Sequence, residues 1–141
     1  MTRSPRSHAR ELVLKGLYAL EVSGASPDEI LSSVIVDDDL DAQSLEFARH
    51  LFEQTHLNRA WANEIISRLA HNWRLERIAT IDQIVLRMAM TELKVMLDVP
   101  VKVVLNEAIE LVKRYSTADS PSFVNGILDS FVKNPAAPKQ V

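Results

Sequence analysis

Apolar residues recur along this chain at the three- and four-residue spacing of amphipathic helices, and no Asn-Gly or Asp-Gly turn separates alternating apolar runs. Ala9, Val13, Gly16, Leu17 and Leu20 share one face and predict a first helix from about Ser7 to Val22, closed by Gly24. Ser26-Pro27-Asp28-Glu29 sets an N-cap serine before a first-turn proline, with a glutamate three residues after the cap, and predicts a short helix through about Val36. The acids Asp37, Asp38, Asp39 and Asp41 precede a third helix carrying Leu45, Phe47, Ala48, Leu51 and Phe52, where negative charge complements the positive end of the helix dipole. After a break near Thr55 to Asn58, Trp61, Ile65, Ile66 and Leu69 mark a fourth.

Thr80-Ile81-Asp82-Gln83 resembles a second capping box. The helix it predicts, Ile81 to about Leu97, is apolar round most of its circumference, which places it at the centre of the fold. Val99-Pro100 opens a sixth helix ending near Tyr115, and Asp119-Ser120-Pro121 caps a seventh from about Pro121 to Val132. Residues 134–141, with two prolines and mostly small or polar neighbours, read as a flexible tail. With no repeat, low-complexity tract or internal linker, the pattern predicts an all-α fold of about seven helices, a single domain over residues 1–133.

Composition narrows the class. A chain of 141 residues with 47% hydrophobic content can bury a true core, since a chain of this size hides roughly 68–70% of its unfolded surface. No cysteine is present, so disulfides, thiolate metal sites and thiol nucleophiles are excluded. No apolar run reaches the ~20 residues of a membrane span, and Glu11 and Lys15 interrupt the first apolar stretch, so a soluble cytoplasmic protein is expected. The net charge is only -3, but its distribution is uneven. Arg3, Arg6, Arg10 and Lys15 crowd the N-terminus against Glu11, whereas Ala25 to Glu46 holds seven acids and no Lys or Arg.

Catalytic chemistry finds no support. His8, His50, His56 and His71 lack metalloprotease spacing, and the aspartate run fails as a calcium loop, because counting from Asp37 puts Ala42 and Ala48 where glycine and glutamate are needed. There is no Gly-rich phosphate loop. The expectation is a non-enzyme without metal or cofactor.

The N-terminal arginines carry more. Projected on a helix, Arg3 and Arg10 lie seven residues apart and Arg6 four before Arg10, so all three could follow one phosphate track; the alternative is a frayed basic end that aids solubility. Leu14 and Tyr18 point away from the apolar stripe and call for a cover, either another helix of the domain or a partner protein. Lys102, Asn106 and Lys113 share a polar edge of the sixth helix, and Phe123 sits at the margin of the last helix. Lysines for phosphate and an aromatic ring for a base suit RNA, though edge lysines are also ordinary on amphipathic helices. Glu92, within an apolar face, should be buried with a hydrogen-bond or ionic partner.

The stretch Arg6-Ser7-His8-Ala9-Arg10-Glu11-Leu12, continuing through Leu17-Tyr18-Ala19, resembles the opening helix of the NusB antitermination family. Ile81-Asp82-Gln83-Ile84-Val85-Leu86-Arg87 with Glu92-Leu93, Asp98-Val99-Pro100, Asn106-Glu107-Ala108-Ile109-Glu110-Leu111 and Phe123-Val124-Asn125-Gly126-Ile127-Leu128-Asp129 are similar to its remaining blocks, in the same order. The resemblance implies two packed helical subdomains. It also implies binding of boxA-type RNA of ribosomal-RNA leaders together with the ribosomal protein NusE, and action with other Nus factors on elongating RNA polymerase.

By the same resemblance the N-terminus, with Arg3, Arg6, His8 and Arg10, faces RNA; Tyr18 and Asp82 sit at positions associated with the NusE interface; and Asp119, Ser120 and Phe123 lie on the RNA side, while Leu14 joins Tyr18 as a partner candidate only by its place on the outward side of the first helix. The chain departs from the arginine-richest members at Ser7 and His8, which implies fewer released counterions and a shallower salt slope. The family includes monomers and homodimers. A NusB-like domain also precedes the catalytic domain of ribosomal-RNA cytosine methyltransferases, an alternative context, and a purely protein-binding helical module is a third reading.

Overall fold

The computed structural model describes residues 4–71 and 74–133. Arg3 and the tail assigned to 134–141 lie outside these residues. The described chain forms seven α-helices and one 3₁₀ turn, Leu75–Arg77: α1 (Pro5–Ser23), α2 (Pro27–Ser33), α3 (Ala42–Leu57), α4 (Arg59–Leu69), α5 (Thr80–Val95), α6 (Val101–Tyr115) and α7 (Ser120–Lys133).

Local chemistry sets most of the ends. The Ser4 hydroxyl accepts from the Ser7 amide and Pro5 fills the first turn, so α1 begins two residues before the sequence pattern suggests. Gly24 ends it at φ 74°, a left-handed conformation open to glycine at little cost. Ser26 and Glu29 form the expected reciprocal box at α2, at 3.2 and 2.8 Å. Asp41 caps α3 through the Ser44 amide at 2.7 Å, giving one of the acidic run a structural task.

The second expected capping box does not form. Thr80 lies within the first turn of α5, whose cap residue, Ala79, has no side chain suited to capping. The Gln83 amide instead donates to the Leu75 and Ile78 carbonyls, both at 2.8 Å, and pins the 3₁₀ turn to α5. Asp82 is likewise taken by distant serines, so tertiary partners win over the local motif.

Helix α5 is the axis of the molecule. It contacts α1 and α3 on one side and α4, α6 and α7 on the other, and every residue from Ile84 to Glu92 is buried. The helices thus fall into two packed groups, α1–α3 and α4–α7, joined by one apolar cluster containing Leu51, Phe52, Ile66, Ile84, Leu86 and Leu128, each 0% exposed. Burying each such side chain contributes about 1.5–3 kcal/mol. Gly16 lets α2 and the residues just after it approach α1 closely: a Cβ there would lie 3.3 Å from Ile30 Cγ2 in α2 and 2.5 Å from Ile35 Cδ1 beyond it.

Candidate functional site

Helix α1 brings the N-terminal basic residues to three different environments. Arg6, half-buried, lays its guanidinium over the Phe47 ring, 4.1 Å from the centroid. His8 meets the Asp37 carboxylate at 2.9 Å, which joins the basic terminus to the acidic loop before α3. Arg10 is turned inward, only 4% exposed.

The inward turn of Arg10 corrects the reading of a single arginine track. Its Nε donates to Glu92 Oε1 at 3.0 Å, Nη2 donates to the other carboxylate oxygen, and Nη1 lies 3.6 Å from Glu107 Oε1. Ser7 donates to Glu107 at 2.8 Å. Arg10 therefore neutralises buried acids and is closed to phosphate. Glu92 has the buried ionic partner that its apolar surroundings demanded.

Leu14, expected to face outward, is 2% exposed, so the domain itself covers it. Tyr18 does reach solvent, at 42%. It falls with Glu11, Lys15 and Val22 on one stripe of α1, at spacings of four, three and four residues. Glu11 at the head of this stripe accepts from Arg114 at 3.2 Å and from the Tyr115 hydroxyl, which fixes the end of α6 against α1. Burial and the Glu11 carboxylate both raise the Tyr115 pKa, so its phenol stays protonated as the donor.

Asp82 is also internal, at 5% exposure. It accepts from Ser116 at 2.7 Å and from Ser120 at 2.9 Å, while the Thr117 amide donates to Ser120 Oγ at 3.1 Å. Ser120 is 1% exposed, so it and Asp82 present little surface of their own, and together they shape the 116–120 loop. That loop, the 3₁₀ turn and the start of α7 enclose a cleft of about 280 Å³ lined by Arg77, Asp82, Asp119, Ser120 and Phe123. Four predicted residues thus converge, with Asp119 exposed, Phe123 half-buried and the exposed Arg77 as an added cation.

Lys102, Asn106 and Lys113 are exposed on α6, with Lys113 held 3.6 Å from Glu110. Glu107 and Arg114, which touch α1, lie on the other flank of the helix, roughly a third of a turn away. The lysine edge therefore faces away from the flank of α6 that packs on α1.

The family model described as the NusB family matches residues 7–133. The chain belongs to the NusB family. It is 45% identical over 130 residues to the transcription antitermination protein NusB of Salinibacter ruber, covering 92% of this chain and 81% of that one. It is 39% identical to the protein of the same name from Symbiobacterium thermophilum, covering 91% and 89%. Among solved structures, T. maritima NusB superposes with a TM-score of 0.86 at 36% identity, covering 97% of this chain and 96% of that one. The same fold occurs, at 23% identity, 89% and 94% coverage and a TM-score of 0.80, in a structure described as antitermination factors NusB and NusE in complex with dsRNA.

Within the NusB fold, sequence reasoning missed Arg114, Tyr115 and Arg77. A cation in the last turn of a helix is common enough that nothing along the chain distinguishes Arg114. Only the fold shows that it closes over a buried glutamate of another helix.

Proposed function

We propose that this chain is a transcription antitermination factor that binds boxA-type RNA of ribosomal-RNA leaders together with the NusE ribosomal protein and acts, with other Nus factors, on elongating RNA polymerase. The observation that carries the reading is the 45% identity to an antitermination protein across 92% of the chain. The reading is of a non-enzymatic cytoplasmic factor. Among the described residues no helix is long and apolar enough to cross a membrane.

Of the described residues, the RNA contact is assigned to Arg6 with its Phe47 platform, to His8, to Lys102, Asn106 and Lys113, and to Asp119 and Phe123 at the rim of the cleft. Guanidinium and ammonium groups would meet phosphate, and the ring would meet a base. Arg10, Asp82 and Ser120 support these surfaces from inside. Tyr18, beside the exposed Val22, is the partner anchor: an exposed tyrosine next to an aliphatic side chain suits the centre of a protein interface.

Binding to a boxA RNA and to its scrambled counterpart, each with and without NusE, tests this. Preference for boxA that strengthens when NusE is added is expected. Equal, weak binding to both RNAs under both conditions would sink the reading.

A further inference from the structure

A cavity of about 330 Å³ opens between α1, α3, α4 and α5, and none of the residues assigned above to RNA or to the partner lines it. Its polar lining is Glu21, Thr55, His56, Arg59, Asn63 and Arg87. Hydrogen-bond donors outnumber acceptors there. Asn63 Oδ1 accepts from Arg87 Nη1 at 3.1 Å, which leaves the Asn63 amide nitrogen without a partner among the described residues. Arg59, an exposed side chain, spends Nη1 on the His56 carbonyl at 2.7 Å, and its Nε and Nη2 make no hydrogen bond among the described residues.

Charge points the same way. Arg59 and Arg87 face one carboxylate, Glu21, which lies 3.1 Å from Arg87 and is itself half exposed. Arg59 is near enough to Arg87 to disfavour its charge, adding to the larger effect of burial. His56 contributes no third cation at neutral pH, because burial first and Arg59 second lower its pKa. The cavity therefore holds one positive charge beyond its acids.

We propose that this cavity is a binding site for a small oxyanion, a phosphate or carboxylate group, held by Arg59, Arg87 and the Asn63 amide. Two oxygens suffice to engage the idle donors, and one negative charge balances the lining.

Amide chemical-shift mapping of the full chain tests it, with inorganic phosphate and acetate as probes and chloride at matched ionic strength as control. Saturable shifts confined to residues 17–21, 55–63 and 87 are expected with phosphate, acetate or both, and which probe acts identifies the oxyanion. Arg59→Gln should weaken that binding about tenfold. Asn63→Asp keeps the acceptor for Arg87 but replaces the amide donor with a carboxylate oxygen, and should weaken it at least as much while leaving the circular-dichroism spectrum unchanged. Shifts that chloride reproduces, shifts scattered elsewhere, no shifts, or equal affinity in both variants would overturn the proposal. None of these outcomes depends on RNA binding.

Discussion

Arg10 and Glu92 stand 82 residues apart in sequence and form a two-pronged ion pair in which neither side chain is more than 4% exposed. The pair locks α1 to α5, so the N-terminal helix is fixed to the axis of the molecule by charge as well as by packing. Removing one partner strands the other, which costs about 3–5 kcal/mol for a buried pair. Arg10→Ala should therefore lower the urea midpoint sharply. The double variant Arg10→Met with Glu92→Leu should recover most of the loss. A single variant as stable as the parent would mean that the pair is open to water.

The same burial separates Arg6 from Arg10 in RNA binding. Arg6→Ala should reduce the slope of log affinity against log salt by about 0.7, the value for one phosphate contact on a single strand. The double variant at Arg10 and Glu92 should leave that slope unchanged while remaining folded. A flatter slope in the double variant would return Arg10 to the phosphate surface.

The division between what could be read along the chain and what could not follows from how many sides of a helix are covered. Ser26 and Glu29, and Gly24, act within a few residues of themselves, and their roles were legible, whereas Asp41 stood out only as one of an acidic run ahead of a helix and not as its cap. Helix α1 is packed against α2, α3, α5 and α6, so it has a second buried face. That face carries Arg10, Glu11 and Leu14, two of them charged, and in sequence it looks like surface. Thr80 to Gln83 misled for the related reason that Asp82 and Gln83 serve residues on other elements.

Asp82 organises the loop that carries Asp119. Asp82→Ala leaves the Ser116 and Ser120 hydroxyls without their acceptor, at a cost of about 1–3 kcal/mol. Hydrogen exchange at the 116–120 amides should accelerate while the α3 amides keep most of their protection. Acceleration spread evenly over the whole chain would show that Asp82 supports global packing and not the loop.

Thr91, in the middle of α5, is 0% exposed and its hydroxyl has no partner among the described residues. Thr91→Val replaces that hydroxyl with a methyl group of similar size in an apolar setting. A gain of about 1 kcal/mol is expected from relieving the buried polar group. It would be read as a raised urea midpoint with unchanged m value. A loss of stability would reveal a bound water or another partner at Oγ1.

His56 gives the fold a defined acid sensitivity. Burial, and then the neighbouring Arg59, lower its pKa from the ordinary 6.5, so the folded protein favours the neutral ring. The contact geometry agrees: Nε2 lies 3.3 Å from Arg59 Nη1, a position in which only an unprotonated nitrogen can accept. Below pH 6.5 the unfolded chain takes up the proton before the folded chain does. The unfolded state then binds more protons, so the stability contributed by neutral His56 is present above that pH and is lost as pH falls toward the lowered folded value. His56→Gln removes the titration but keeps a polar side chain. Its unfolding free energy, followed from neutral to mildly acidic pH, should fall less steeply than that of the parent. Parallel curves would mean that His56 does not titrate differently in the two states, and a steeper fall in the variant would reverse the sign assigned to it.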